Sequence, residues 1–405
     1  MIHRLEIENF YSIRETQVID LRIGAKVPDE EGRFGRLRDG SDVRVPKTVA
    51  FFGANASGKS NVLKALSFLH WFLVRSFELP PEDPILLPRF ADGNSERARI
   101  RIFFDWAANL TSAVPASDHP VEFAQFAYEV SVGPSEGRES VVFSEELRLQ
   151  PAEGKSRRVF FRNERGEVQA GSGFSLKGIH HVLAKLRPNV SLTATLAQFT
   201  EVSPTAELLR WARRITSNIF FEKLMPDEPT TFQFYAERPH LVEALNQAIK
   251  RMDVGIQSMI LMQTPQGPLP AFVHAGLDRL IPYLYESEGT RQFFNVYPFI
   301  WSALGTGGIA VLDELDSTIH PMLLPEILRW FYDSETNKYG AQLWFSGHSA
   351  SLLEELKKEE VFFTEKDEQG RTKIYGLKDI DGVRRVDNFY QKYLGGVYGA
   401  VPRIG

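Results

Sequence analysis

The sequence predicts an α/β fold in which a parallel sheet carries a ligand site at the carboxyl ends of its strands. A short apolar run at 48–53 ends in glycine and leads into a glycine-rich loop and an amphipathic segment. Two more apolar runs, at 309–312 and 343–345, each end in polar residues. Strands of this kind that alternate with helices are typical of parallel sheets, which bind ligands at that edge.

The composition is that of an ordinary globular protein. The chain has 405 residues, of which 43% are hydrophobic and 24% are charged, so we expect two or three structural units and no disordered or fibrous chain. The net charge of −5 excludes a chain that binds nucleic acid through an overall positive charge. It leaves open a local basic face. The chain has no cysteine, which excludes disulfides, a cysteine nucleophile and cysteine metal sites.

The apolar segments do not predict a secreted or membrane protein. Charged residues such as Arg4 and Glu6 interrupt any signal-peptide core at the N-terminus. The most apolar long stretch, 296–312, contains three glycines and is shorter than the roughly 20 residues that a membrane span needs. It predicts a buried helix followed by a buried strand. We therefore expect a cytoplasmic protein without a membrane partner.

The first 75 residues predict a strand, a hairpin partner, a loop, a second strand and a helix. Residues 2–8 alternate between two sides, as a strand does, and 18–23 can pair with them. Charged and glycine-rich residues at 24–45 predict an exposed loop. After the strand at 48–53, apolar residues recur at helical spacing beyond Ser60.

The middle of the chain predicts strands and then helices. Proline-rich residues 78–93 predict a linker or lid. Strand patterns follow between 98 and 168, and the last of them contains a turn at Arg165–Gly166. The segments with helical patterns lie near 177–187, 191–200, 204–224 and 238–252. After residue 270 strands and helices alternate again, which favours a parallel sheet.

The loop after the second strand matches the pattern G-x-x-x-x-G-K-S at every fixed position. Its glycines let backbone N–H groups approach phosphate oxygens, and the helix that follows adds partial positive charge. Lys59 can reach the β- and γ-phosphates, and Ser60 can coordinate Mg²⁺. An ordinary strand-to-helix turn is the alternative, which the complete motif in its right context disfavours. The predicted nucleotide-binding residues are Gly53, Ala54, Asn55, Ala56, Ser57, Gly58, Lys59, Ser60 and Asn61.

Two carboxylates follow the apolar run at 309–312. Because ligands bind at the carboxyl ends of strands in open α/β sheets, Asp313 and Glu314 predict a second part of the same site. We predict that Asp313 holds Mg²⁺ and that Glu314 is the general base that polarises water. A solvated acidic turn is the alternative, and the phosphate loop in the same chain lowers its weight.

Two weaker patterns complete the candidate site. His348 follows the third apolar run, where an imidazole can contact the γ-phosphate, although a lone histidine is more often structural. Ser287, Gly289 and Thr290 lie where a helix starts near Thr290. A helix start can bind an anion, but the same residues can serve only as its N-cap, and the sequence leaves both interpretations open.

The motifs described above, in their order along the chain, resemble those of the ABC-type ATPase heads of SMC and RecF proteins. The resemblance is closer to the stand-alone bacterial defence ATPases of the RloA-like and abortive-infection type, and it covers about 1–75 and 270–405. The segments that carry it are "NFYSI", "GANASGKS", "ESEGTRQF", "VLDELDSTIHP" and "SGHS".

The resemblance implies an ABC-ATPase-like P-loop domain with an N-terminal β-hairpin region. It implies three regions along the chain. Residues 1–75 form the N-terminal lobe with the phosphate loop, 76–270 form an inserted β-rich arm and helical subdomain, and 271–405 form the C-terminal lobe. It also implies that the ligands are ATP and Mg²⁺, and that the activity is ATP hydrolysis.

The resemblance also assigns roles to single residues. Asp313 and Glu314 fall on the magnesium aspartate and the catalytic glutamate, and His348 falls on the switch histidine. Asp316 falls on the loop that crosses the dimer interface. Gly347 departs from the pattern, which usually has threonine or serine there. The residues that fall on the signature motif, shortened to S-x-G-T, are Ser287, Gly289 and Thr290. The Q-loop glutamine stays unassigned between Gln125 and Gln198.

A signature motif of this kind completes the partner's ATP site, so the resemblance implies a head-to-tail homodimer, or a higher even oligomer, that clamps two ATP molecules. The leading functional hypothesis is the sensor or regulator of an anti-phage defence system that has a separate nuclease or toxin effector. The alternative is a RecF-like DNA-repair clamp. A nuclease within the same chain is disfavoured, because only 405 − 348 = 57 residues follow His348. Basic clusters that leave DNA binding open lie at 97–101, 155–165, 210–214 and 384–385.

Overall fold

The computed structural model describes most of the chain. The described residues are 1–29, 31–36, 41–90, 97–108, 122–135, 138–151, 154–171, 174–199, 204–220, 228–252, 255–317, 319 and 323–401.

Strands and helices alternate in blocks along the described residues. The strands are β1 (Ile2–Glu8), β2 (Gln17–Asp20), β3 (Phe34–Arg36), β4 (Arg44–Pro46), β5 (Thr48–Phe52), β6 (Ala98–Ala108), β7 (Glu122–Ser135), β8 (Arg138–Pro151), β9 (Arg157–Arg162), β10 (Val168–Ala170), β11 (Ile215–Ser217), β12 (Ile256–Thr264), β13 (Gly267–His274), β14 (Ile281–Pro282), β15 (Ile309–Leu312), β16 (Gln342–Ser346), β17 (Val361–Lys366) and β18 (Thr372–Gly376). The α-helices are α1 (Lys59–Arg75), α2 (His180–Leu183), α3 (Leu192–Leu196), α4 (Thr205–Ala212), α5 (Glu228–Ala236), α6 (Pro239–Met252), α7 (Glu288–Thr306), α8 (Leu324–Tyr332) and α9 (Phe389–Leu394).

A six-stranded sheet forms the centre of the fold, in the order β11-β15-β16-β5-β17-β18. Its first five strands run parallel, and β18 is antiparallel to β17. Every residue of β5, β15 and β16 is buried, as expected of parallel strands covered on both faces. Alternate residues of β5 belong to two different hydrophobic cores. Val49 and Phe51 belong to one core, and Ala50 and Phe52 belong to the other. The parallel sheet and these three strands confirm the sequence prediction.

A seven-stranded antiparallel sheet lies beside it, in the order β10-β9-β8-β7-β6-β1-β2. The predicted hairpin of β1 and β2 forms its edge, and the strands after residue 97 extend the same sheet. The predicted turn at Arg165–Gly166 joins β9 to β10, with Gly166 in the left-handed conformation at φ 78°. Trp211 of α4 stacks on Phe104 of β6 with ring centroids 3.7 Å apart, which fixes the helical segment onto this sheet.

A small antiparallel sheet, β12-β13-β14, leads to the long helix α7. Residue 270, the predicted end of the inserted region, lies within β13. α7 ends at Thr306, and its C-cap is Gly307, whose φ of 65° suits glycine. A Cβ at Gly307 would lie 2.3 Å from the Tyr339 carbonyl oxygen. The buried helix and strand predicted for 296–312 are thus the end of α7 and β15. Among the described residues no helix has both the length and the apolarity to cross a membrane.

Several local predictions were wrong. The loop predicted at 24–45 contains the hairpin of β3 and β4. The helix predicted at 204–224 ends at Ala212, and β11 follows, because that segment pairs with β15 at the edge of the central sheet. The helix predicted near 177–187 is a single turn, α2. Residues 221–224 and 91–93, parts of the predicted helix and lid, lie outside the described residues.

Candidate active site

The loop between β5 and α1 needs its two outer glycines. Gly53 has φ 151° and Gly58 has φ 112°, conformations that favour glycine. A Cβ at Gly53 would lie 2.2 Å from the Thr364 carbonyl oxygen. At Gly58 it would lie 2.4 Å from the Thr372 hydroxyl oxygen. The loop therefore packs directly against β17 and β18, and it delivers the chain into the N-terminus of α1.

Hydroxyl groups and one carbonyl hold this loop in place. The Ser57 and Thr364 hydroxyl oxygens are 2.6 Å apart, and the Thr372 hydroxyl donates to the Ser57 carbonyl oxygen over 2.8 Å. The Ala54 N–H donates to the Ala400 carbonyl oxygen over 3.1 Å. These supports were not predicted, because isolated threonines in apolar strands carry no sequence signal of their own.

Lys59 lies across the loop. Its ammonium donates to the carbonyl oxygens of Gly53, over 2.8 Å, and Ala54, over 3.2 Å, and the residue is only 5% exposed. Burial lowers the pKa of this ammonium, and nearby acidic residues, Asp313 first among them, oppose the effect. A buried cation held above a helix N-terminus is an arrangement that binds phosphate.

Asn61, predicted with the phosphate loop, faces the turn between β1 and β2. Its side-chain amide donates to the Ser12 hydroxyl over 2.7 Å, and that hydroxyl lies 2.7 Å from the Thr372 hydroxyl. Ser12 therefore links the N-terminal hairpin to the start of α1.

A polar cleft of about 580 Å³ opens beside Asn55 and Ala56, with the turn after β17 as its other wall.

The structure places Ser60 and Asp313, the two residues predicted to hold Mg²⁺, within hydrogen-bonding distance of each other. Asp313 is buried, and its Oδ1 accepts from the Ser60 hydroxyl over 3.0 Å and from the Ser346 hydroxyl over 2.5 Å. The described residues contain no cluster of three or more acidic or histidine side chains that could hold a metal. One carboxylate and one hydroxyl fit Mg²⁺, which is usually bound by few protein ligands together with phosphates.

Asn218, which sequence analysis missed, holds the backbone of Asp313 from the neighbouring strand. Its side-chain oxygen accepts from the Asp313 N–H over 2.7 Å, and its amide donates to the Asp313 carbonyl oxygen over 3.1 Å. Asn218 follows β11, the strand that was predicted as helix. Recognising β11 would have placed this asparagine at a strand end beside Asp313.

Glu314 has a backbone conformation that is uncommon for a residue other than glycine, with φ 51°. Its side chain is 41% exposed, and its Oε1 lies 3.4 Å from the Nε2 of His348. The backbone N–H of Glu314 donates to the Ser346 hydroxyl over 2.8 Å. The structure thus brings Glu314 and His348 together at the ends of β15 and β16.

Asp316 explains the glycine that departs from the family pattern. Its carboxylate accepts from the His348 N–H over 2.8 and 3.0 Å, and from the Ser349 N–H. A Cβ at Gly347 would lie 3.2 Å from the Phe52 ring and 3.3 Å from the Asp316 Oδ2, which is tight. Glycine lets Asp316 approach the backbone closely and fix the start of the histidine loop.

Ser287 caps the N-terminus of α7, and the hydrogen bonds of the S-x-G-T motif in the described residues stay within this helix start. The Ser287 hydroxyl accepts from the Thr290 N–H over 3.1 Å and lies 2.9 Å from the Thr290 hydroxyl. Ser287 is exposed and Gly289 is half-buried. The preceding Glu286 is buried and pairs with the His274 Nε2 at 2.5 Å, which attaches the motif to β13.

The two glutamine candidates lie elsewhere. The Gln125 amide lies 3.2 Å from the His3 ring nitrogen in the antiparallel sheet, and Gln198 is exposed after α3.

Several of the predicted basic residues are paired with acids. Examples are Arg99 with Glu8 at 2.5 Å, Arg101 with Glu129 at 3.6 Å, Arg158 with Glu146 at 2.7 Å and Arg385 with Glu359 at 2.9 Å. These pairs reduce the positive charge of the predicted clusters.

One protein family matches the chain over most of its length. Residues 49–354 match the family described as "AAA domain, putative AbiEii toxin, Type IV TA system". No curated protein matches the chain.

Solved structures of SMC heads are similar to it. The SMC head domain from Thermotoga maritima is 13% identical, with a TM-score of 0.42, over 93% of this chain and 98% of that chain. An SmcHead bound to the C-winged helix domain of ScpA is 15% identical, with a TM-score of 0.45, over 93% and 97%. An Smc head domain with an extended coiled coil, bound to the C-terminal domain of ScpA derived from Pyrococcus furiosus, is 14% identical, with a TM-score of 0.46, over 98% and 99%.

Proposed function

Because this chain belongs to the AAA-domain family that its residues 49–354 match, it is a P-loop ATPase, and we propose that it hydrolyses ATP with the residues around Asp313. The observation that carries the proposal is the 3.0 Å hydrogen bond between Ser60 and Asp313. It joins the complete phosphate loop after β5 to the carboxylate after β15, at the carboxyl ends of strands in the same parallel sheet. That is the position where open α/β sheets bind ligands.

Each side chain has a separate task in this proposal. Lys59 leaves the carbonyl oxygens of its own loop and contacts the β- and γ-phosphates. Ser60 and Asp313 would hold Mg²⁺, which would neutralise charge on the phosphate oxygens. Glu314 takes a proton from the attacking water. His348, whose Nε2 lies 3.4 Å from the Glu314 Oε1, orients the Glu314 carboxylate and contacts the γ-phosphate. The products are ADP and phosphate.

The proposed working form is a head-to-tail homodimer, the simplest even oligomer with two sandwiched ATP sites. Two features support it. Ser287 and its neighbours present an exposed helix N-terminus, and the cleft beside Asn55 and Ala56 is open and polar. In the dimer the helix N-terminus of one protomer contacts the γ-phosphate held by its partner.

The proposed biological role is the regulator of a defence system whose effector, a nuclease or toxin, is a separate protein. The description of the family, which names a putative AbiEii toxin and a type IV TA system, supports the defence part of this role. The paired arginines described above give the DNA-clamp alternative no added support.

Glu314→Gln tests the proposal. The variant keeps the size of the side chain but loses the base, so it should bind ATP and hydrolyse it at least about 100-fold more slowly. A closed dimer should then accumulate in the presence of ATP, and light scattering measures its formation. A nuclease or toxin encoded beside the gene should co-purify with this trapped form. Normal turnover would refute the role of Glu314, a monomer with bound ATP would refute the dimer, and a trapped dimer without the neighbouring product would refute only the effector.

A further inference from the structure

The turn at Asp313–Leu315 is fixed by neighbouring strands on both sides. Three successive N–H groups each donate a hydrogen bond. The Asp313 N–H donates to the side chain of Asn218, whereas the next two N–H groups both donate to Ser346. The Glu314 N–H reaches the Ser346 hydroxyl at 2.8 Å, and the Leu315 N–H reaches the Ser346 carbonyl oxygen at 3.1 Å. Ser346 thus holds the part of the turn where Glu314 has its left-handed conformation.

The same hydroxyl also contacts the Asp313 carboxylate. It donates its single proton to Oδ1 over 2.5 Å while it accepts from the Glu314 N–H. Ser346 is fully buried, so these bonds do not compete with solvent. One hydroxyl therefore connects the side chain of the proposed metal carboxylate to the backbone of the proposed base.

We infer that Ser346 is a positioning residue for ATP hydrolysis. Its hydroxyl fixes the orientation of the Asp313 carboxylate toward Ser60, and it holds the Glu314 backbone so that the Glu314 side chain projects toward His348. Ser346 does not itself contact the reacting atoms. The inference rests on the proposed function, because it acts through the roles given there to Asp313 and Glu314.

Ser346→Ala removes the hydroxyl and leaves the strand intact. Partners that orient metal-binding carboxylates typically contribute 10–100-fold to metal affinity or activity, so kcat should fall by about that factor. The KM for ATP should stay within about twofold, because the phosphate loop and Lys59 are untouched. The Mg²⁺ concentration needed for half-maximal turnover should rise. A residue that is only structural would instead lower the amount of folded enzyme and leave the Mg²⁺ requirement unchanged.

Ser76→Ala is the matched control. Ser76 is also fully buried, and its hydroxyl accepts from the Ser191 N–H over 3.0 Å, but it lies at the far end of α1. The control variant should keep the kcat and Mg²⁺ requirement of the wild type. Thermal unfolding and ATP binding measured on both variants show that each is folded.

Combining Ser346→Ala with Glu314→Gln decides whether the serine acts through the base. The combined loss of kcat should be much smaller than the product of the two single losses, because the two residues act as a unit. Multiplicative losses, or a Ser346→Ala enzyme with normal kcat and Mg²⁺ requirement, would overturn the inference while Glu314→Gln stays inactive. A wild-type chain that does not hydrolyse ATP would overturn the proposed function and this inference with it.

Discussion

Lys59 is the side chain on which nucleotide binding should depend most directly. Lys59→Ala removes the ammonium that lies 2.8 Å from the Gly53 carbonyl oxygen, and with it the proposed contacts to the β- and γ-phosphates. We expect ATP affinity to fall and hydrolysis to be nearly abolished, since the charge stabilises both the ground state and the transition state. Calorimetry and phosphate release measure the two effects.

Lys47 provides the control for that variant, because it lies immediately before β5, whereas Lys59 lies beyond the loop that follows β5, at the start of α1. The Lys47 ammonium donates to the Tyr332 carbonyl oxygen over 3.2 Å, and burial lowers its pKa as it does for Lys59. Lys47→Ala should bind and hydrolyse ATP normally. Equal losses in the two variants would mean that Lys59 only supports the fold.

The residues that the sequence predicted are those whose chemistry is tied to a motif. Lys59 and Asp313 were predicted because a glycine loop and an apolar strand precede them. Asn218, Ser346 and Thr364 were missed, because each is a single polar residue whose partner is distant in the chain. The Ser346–Asp313 bond joins positions 33 residues apart, and only the order of the strands shows that they meet.

Among the elements, prediction succeeded where a segment is determined by its own pattern. β5, β15 and β16 each contain an apolar run, and the burial of these strands on both faces explains the runs. β11 has only three residues and was read as the continuation of α4, because its strand conformation depends on pairing with β15. β12 was not predicted as a strand, although its residues pair regularly with β13 from Ser258 to Thr264.

Residues 187–196, which contain α3 and the turn before it, are held by a buried ion pair in the antiparallel sheet. Arg162 and Glu145 lie 3.5 Å apart and are almost fully buried. Glu145 also accepts from the Leu192 N–H over 2.9 Å, and Arg162 donates to the Val190 carbonyl oxygen over 2.6 Å. Burial raises the pKa of Glu145 and lowers that of Arg162, so each charge depends on the other.

Glu145→Gln should therefore leave a buried, uncompensated Arg162 and cost about 3–5 kcal/mol in the free energy of unfolding. The adjacent Glu146 faces the other side of β8 and pairs with partly exposed arginines, so Glu146→Gln should cost no more than about 1 kcal/mol. Urea unfolding of both variants measures the difference. Equal costs would mean that the buried pair does not fix the segment.

At the scale of the whole molecule, the candidate site residues fall into two groups. The phosphate loop, Asp313, Glu314 and His348 converge in a single protomer, but Ser287 and Thr290 form a helix start whose described hydrogen bonds are local. A two-fold dimer would bring this helix start to the partner's site. That arrangement, and not the capping geometry, distinguishes a shared site from an ordinary helix N-cap.

Ser287→Arg separates the two interpretations. If Ser287 is only a cap, the change should cost about 1 kcal/mol of stability and little activity. If Ser287 contacts the partner's γ-phosphate, ATP affinity at Lys59 should stay near normal while hydrolysis and ATP-driven closure fail. Asn388→Arg is the control, because Asn388 is an exposed N-cap of α9 that accepts from the Gln391 N–H over 2.8 Å. It should retain turnover and closure.

Mixing two inactive variants completes the test. A heterodimer of Lys59→Ala and Ser287→Arg protomers has one site with both defects and one site in which an intact Lys59 faces an intact Ser287. That second site should recover activity, up to about half per heterodimer if the sites act independently, by the two-fold geometry. Because strict cooperativity between the sites would hide this rescue, ATP-dependent closure is measured by light scattering beside turnover. Normal turnover and closure by Ser287→Arg alone would rule out the shared site.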